Sequence, residues 1–187
     1  MAHPIAGTAS PGSPPPFPAG PNPGPFPKAV TPADIAPSVA TLTESGSRLR
    51  EAVRGLTGAQ LDTRYKNWTV RQIAYHLGDS HMNVYIRWMV ALTEDVPTIK
   101  PYSESAWSEA PASRTGDIET ALALVDAVHA RWMGVVGTCS MEQMHREFFH
   151  PEMNERVRLI DTLRTYAWHV EHHIGQILWM RGAHGWG

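Results

Sequence analysis

The sequence predicts an all-α protein: a four-helix bundle preceded by an irregular Pro/Gly-rich tail. Three observations predict it. Several segments carry apolar residues at intervals of three and four, the period of a helix packed on one side. No run alternates apolar and polar residues convincingly enough for a sheet, and there is no internal repeat and no Gly-rich phosphate loop. A long, proline-punctuated connection in the middle suits a bundle with one crossover.

Residues 1–27, "MAHPIAGTASPGSPPPFPAGPNPGPFP", hold 10 of the 16 prolines and 4 of the 15 glycines. Proline removes backbone donors and glycine adds chain entropy, so this stretch is expected as an irregular tail, flexible or held as an arm. The rest, residues 28–187, is expected as one bundle domain.

The first helix carries Ile35, Val39, Leu42, Leu49, Val53 and Leu56 at roughly helical spacing. Thr31 is a cap candidate with Pro32 at the first helical position. Pro37 is hard to place inside a helix, so the main helix is expected from Pro37–Ser38, weakened or bent at Gly46. The second helix is the clearest. Thr69 and Gln72 have the spacing of a capping box, and Ile73, Leu77, Val84, Trp88 and Leu92 form one stripe. The segment "VPTIKPYSESAWSEAPASRTG" then reads as a long connection that is functional or packed as a cover. Asp117 caps a third helix ending near Gly137. The last helix runs from about Leu159 to Met180, stopping at Arg181 and Gly182.

Net charge is −2, from 16 basic and 18 acidic residues, which gives no reason to expect nucleic acid or an anionic membrane as partner. No apolar run is long enough for a transmembrane helix, and no secretory signal is read at the amino end. The one cysteine, Cys139, excludes an internal disulfide, fits a reducing cytoplasm and reads as a small buried hydrophobe.

The 10 histidines are the unusual feature. His169 and His173 are four apart, which puts their rings on one helix face about 5–6 Å apart at Cβ, close enough to meet one cation. His172 points about 100° away. Two imidazoles hold a catalytic zinc poorly, so a third ligand is expected from another helix. His76, His81, His129, His145 and His150 compete for that place. The alternative is that the HxxxH pair is solvated or bonded to backbone.

Two segments carry a resemblance. "NWTVRQIAYHLGDSHMNVYIRWMVALTEDVPTIKPYSESAW" (Asn67 to Trp107) and the stretch from "HPE" to "TLRTYAWHVEHHIGQI" (His150 to Ile177) resemble the YfiT-like branch of the DinB superfamily. Its members are described provisionally as metal-dependent hydrolases, and some relatives as bacillithiol transferases. "WTVRQ", "HLGDSHMN", "LTEDVPTIKPY" and "YAWHVEHH" match in order and spacing. The resemblance implies a four-helix, up-down-down-up bundle holding one divalent metal ion per subunit, zinc or nickel. Its ligands would be His76, His169 and His173. It also implies a cytoplasmic homodimer. The family usually has a glycine pair before the tryptophan; here the turn reads "YKNW".

A cation on three neutral imidazoles keeps its full +2 charge and an open position. A bound water would be acidified toward hydroxide for hydrolysis; a bound thiol would become a thiolate. The reading favoured here is S-transfer from a low-molecular-weight thiol to an electrophile. Hydrolysis is the runner-up, and a non-catalytic metal-binding stress protein is the third class. A hydrolase needs a carboxylate near the water, for which Asp79, Glu171 and Glu152 are candidates. Asp79 could instead orient a ligand ring. Asn83 and Arg87, further along the His76 face, could grip a polar or anionic cosubstrate.

Overall fold

The structure, a computed structural model, describes residues 12–187, so the first 11 residues of the predicted tail lie outside the described residues. In chain order the elements are α1 (Pro32–Val53), α2 (Gly58–Leu61), α3 (Val70–Thr93), α4 (Glu104–Ser108), α5 (Pro111–Thr115), α6 (Ile118–Thr138), α7 (Met141–Met144), β1 (Glu147–His150), β2 (Glu155–Arg158) and α8 (Leu159–His184). The four long helices make the bundle. None is long and apolar enough to cross a membrane.

The caps form as the sequence predicts. Thr69 Oγ1 accepts from the Gln72 N–H at 3.1 Å, while Gln72 Oε1 accepts from the Thr69 N–H at 2.9 Å. Asp117 accepts from the Glu119 N–H at the start of α6. α1 corrects the expectation at Pro37: the helix begins at Pro32 and runs through Pro37. The Asp34 carboxylate accepts from both the backbone N–H and the hydroxyl of Thr31, which nucleates a turn upstream of the proline. Pro37 therefore removes one helical hydrogen bond without ending the helix. At Gly46 α1 is unbroken, and the missing Cβ gives room to Asp126 of α6. α8 continues one turn beyond expectation, to the left-handed Gly185 (φ 64°).

The hairpin is a second correction. Glu147 to His150 pairs antiparallel with Arg158 to Glu155. Two four-residue strands are too short for alternation to show in the sequence, and a lone hairpin leaves the all-helical class unchanged.

Named pairs fix the topology. α1 and α3 each lie against both α6 and α8. Ser45 meets His129 and Arg50 meets Asp126, so α1 and α6 run antiparallel. Arg48 pairs with Glu171 and Arg181 donates to Ala52 O, so α1 and α8 run parallel. His81 meets His129 and Arg131 donates to Tyr85, making α3 and α6 parallel. His76 meets His169 while Trp88 donates to Thr162, so α3 and α8 are antiparallel. The bundle is up-down-down-up. Joining parallel α3 and α6 requires the crossover that carries α4 and α5, which packs along α3.

Two apolar clusters fill the interior. One holds Leu49, Ile73, Leu77, Val125 and Ile177; the other holds Leu42, Trp88, Trp132 and Leu163. Between them each long helix contributes a buried or half-buried polar residue: Ser45, His81, His129 and His169. The described part of the tail lies along α8. Trp168 Nε1 donates to Gly20 O at 2.9 Å, and the Phe26 N–H donates to Asp161 at 2.8 Å.

Candidate metal centre

His76 lies in the second turn of α3, and His169 and His173 sit mid-way along α8. The sequence alone leaves five histidines competing for the third place. The structure brings His76 to the α8 pair: one nitrogen from each of the three rings lies within 4.8 Å of the other two. His76 Nε2 and His169 Nε2 are 3.1 Å apart. Two nitrogens on one tetrahedral zinc keep about 3.3 Å at ordinary bond lengths. The three donors therefore fit a single small divalent cation.

Burial keeps the rings in the form a metal needs. His76 is 3% exposed and its pKa is pushed down to about 4 by desolvation. Burial first, and neighbouring imidazoles second, hold His169 and His173 well below the ordinary histidine value. At neutral pH all three rings are uncharged, with a lone pair available.

The remaining ring nitrogens of His169 and His173 are engaged. His173 Nδ1 donates to Gln176 Oε1 at 2.8 Å, and Gln176 Nε2 donates to His172 Nε2 at 3.0 Å. His169 Nδ1 lies 3.2 Å from His81 Nε2, and His81 Nδ1 lies 2.7 Å from His129 Nε2. His81 and His129, weighed as ligands from the sequence, thus stand behind His169. The sequence reading missed Gln176 as a support. It also missed Trp68, whose ring centroid is 4.4 Å from that of His76 and 6.0 Å from that of His173. A tryptophan directly before the N-cap Thr69 does carry a signal, because an apolar residue there folds back over the first turns of the helix.

Other candidates lie elsewhere. Asp79 is half-buried, and burial raises its carboxyl pKa. Its carboxylate makes no hydrogen bond to the three rings among the described residues; His81 and Gln176 supply the orienting contacts instead. Glu171 is held by Arg48 in a two-pronged ion pair facing α1. Glu152 is exposed in the hairpin turn. His145 follows α7 and His150 ends β1, both away from the cluster. Cys139 is half-buried at the end of α6, with its thiol pKa raised by burial.

Of two cavities, one reaches the cluster and the other is lined by none of its three rings. One of about 440 Å³ is lined by Trp68, Lys66, Glu109, Gln176 and His173, which gives one of the three rings an open side. The other, about 460 Å³, lies under the crossover and is lined by Asn83, Arg87, Lys100, Tyr102 and Trp107. Arg87 Nε is buried there without a hydrogen-bond partner among the described residues.

Comparison with known proteins agrees with this architecture. The family model of the DinB superfamily matches residues 41–177. YfiT of Bacillus subtilis (strain 168), provisionally named a metal-dependent hydrolase, is 43% identical over 150 residues, 79% of this chain and 84% of YfiT. A protein of Bacillus cereus (strain B4264) with the same provisional description is 41% identical over 142 residues, 75% of this chain and 81% of its own length. The solved structure of Bacillus subtilis YfiT superposes with a TM-score of 0.83 at 40% identity, covering 87% of this chain and 94% of that one. It is described as a probable metal-dependent hydrolase with an unusual four-helix bundle topology. The up-down-down-up order, the three-histidine cluster and these matches lead to one assignment: the chain belongs to the DinB superfamily.

Proposed function

We propose that this protein is an enzyme in which His76, His169 and His173 hold one divalent ion, zinc or nickel, and which transfers a low-molecular-weight thiol to an electrophile. One observation carries the choice of chemistry: the clustered donors are imidazoles alone, with no carboxylate among them. An ion held by these three residues would supply an undiluted +2 charge, able to acidify a thiol or a water.

The chain's own residues supply the rest. The low pKa values of the three rings keep their lone pairs free at neutral pH. Trp68 lies against His76 and His173 and limits water on that side. The cavity reaching His173 admits a small molecule. Arg87 forms no ion pair among the described residues, and with Asn83 it offers donors to an anionic group of the cosubstrate. S-transfer asks for no general base, whereas hydrolysis does.

The second reading, hydrolysis, is favoured by the provisional names of the relatives. Two carboxyls are available to it: Asp79, raised by burial, and Glu109 in the wall of the first cavity. The test is a parallel assay on zinc- and nickel-loaded protein. The proposal expects thiol consumption with a model electrophile, abolished in His173→Ala. Metal-dependent cleavage of esters or amides with no thiol turnover would reverse the order of the two readings.

A further inference from the structure

We propose that Ser45, His81 and His129 form a buried positioning relay, anchored on the Leu42 carbonyl, that fixes the tautomer and aim of the His169 ring. The inference deepens the metal reading above and rests on it for its consequence. The relay's internal order, however, is a property of the protein with or without metal.

The argument is one of donors and acceptors. A backbone carbonyl only accepts, and His129 Nδ1 lies 2.8 Å from Leu42 O. That nitrogen must carry the proton. Ser45 agrees, because its hydroxyl donates to the same carbonyl at 2.7 Å while its oxygen faces His129 Nδ1. In a neutral ring the other nitrogen is then bare, so His129 Nε2 accepts. At 2.7 Å from it, His81 Nδ1 must donate, which leaves His81 Nε2 bare. His169 Nδ1, 3.2 Å away, must donate in turn. His169 Nε2 is left with a lone pair, 3.1 Å from His76 Nε2 in the three-ring cluster.

The opposite polarity would put an N–H on His169 Nε2 and aim a proton into the cluster. The Leu42 carbonyl excludes it. Burial excludes the escape in which a ring becomes cationic: His81 is 0% exposed and His129 4%. Placement gives the chain its reach. Leu42 and Ser45 are on α1, His129 on α6, His81 on α3 and His169 on α8. One backbone carbonyl in the first helix thus sets the orientation of a ring in the last, across all four helices. A ligating histidine usually finds its orienting acceptor within one contact; here two imidazoles bridge the gap.

Two measurements test it. Long-range proton–nitrogen NMR on metal-free wild type at neutral pH is expected to show His81, His129 and His169 all as neutral rings protonated at Nδ1. Zn²⁺ affinity by chelator competition is expected to fall 10–100-fold in His129→Phe, which can neither donate nor accept. It is expected to stay within a few-fold of wild type in His129→Gln, whose amide can do both. An Nε2-protonated His81 or His169 in wild type overturns the relay, whether or not the phenylalanine variant folds. So does a folded His129→Phe with wild-type affinity. Wild type that binds no Zn²⁺ yet shows the three Nδ1 tautomers retains the relay and sinks the metal reading, so the two failures are separable.

Discussion

His169 and His173 stand one turn apart on the same helix, but they are steadied from opposite directions. Behind His169 runs a line of buried groups that ends on a helix carbonyl in the middle of the bundle. Behind His173 stands Gln176, which lines a cavity and leans on His172. That second line ends unresolved, since His172 Nδ1 is buried with no partner among the described residues. The contrast teaches that two rings one turn apart on the same helix face can differ in how much freedom they keep. The inner ring is set by the packing of four helices, the outer one by a single side chain.

The largest effects come from removing the rings themselves. His169→Ala and His173→Ala are both expected to abolish stoichiometric divalent metal, read by elemental analysis of purified protein. They should differ in the stability of the metal-free fold. His169→Ala strands His81 Nε2 where no partner replaces it, a loss of about 1–3 kcal/mol in urea unfolding. His173→Ala strands Gln176 Oε1 beside a cavity that water reaches, and should cost less. Equal losses in the two variants would break the comparison.

Acid should act on both sides next. The folded pKa of His76 is about 4, below the ordinary unfolded value near 6.5. Between those values the unfolded chain binds more protons than the folded one. Stability is therefore complete above about pH 6.5 and falls as pH drops toward 4, by about 1.4 kcal/mol per pH unit for each such histidine. His81, His169 and His173 are displaced in the same direction. Metal-free protein should lose melting temperature steeply across this window, and added Zn²⁺ should move the loss to lower pH, because protons and metal compete for the same lone pairs. A flat profile would mean that the rings are solvated.

Gln176→Leu isolates the outer side. It removes the acceptor of His173 Nδ1 with little change in volume, and Zn²⁺ affinity should weaken 10–100-fold. The inner chain should be untouched, so the tautomers of His81 and His129 should be unchanged by NMR.

The α8 ring pair was more legible in the sequence than the groups that support it. The HxxxH spacing on a periodic segment puts two rings on one face by helix geometry alone. His76 needed the motif resemblance, because periodicity cannot say which face of one helix meets which face of another. The inner chain was hidden for the same reason. His81 lies five residues, about 140°, from His76 on the helix wheel. His129 sits among Val125, Val128 and Trp132, an apolar stripe in which a histidine signals a buried partner without naming it. Helix caps at Thr69 and Asp117 were readable because they are local. The hairpin and the path of α1 through Pro37 were not. Four-residue strands carry too few positions to alternate, and an upstream cap can offset a single lost hydrogen bond.

The smallest expected effect lies in the outer wall. Lys66, in the "YKNW" turn beside Trp68, has φ 152°, a conformation open to glycine and costly for a side chain. Lys66→Gly trades backbone strain of about 1–3 kcal/mol against the greater freedom of glycine in the unfolded chain, about 0.5–1 kcal/mol, so the fold should gain on the order of 1 kcal/mol. The Lys66 charge also helps to hold the His172 pKa down, after burial, and its removal should let that pKa rise. Both changes belong to the cavity side. If Lys66→Gly stabilises the protein in urea and leaves the NMR signals of His81 and His129 in place, the two sides are independent. If those signals move with it, the cavity wall and the buried chain are one cooperative unit, and the separation of inner and outer support fails.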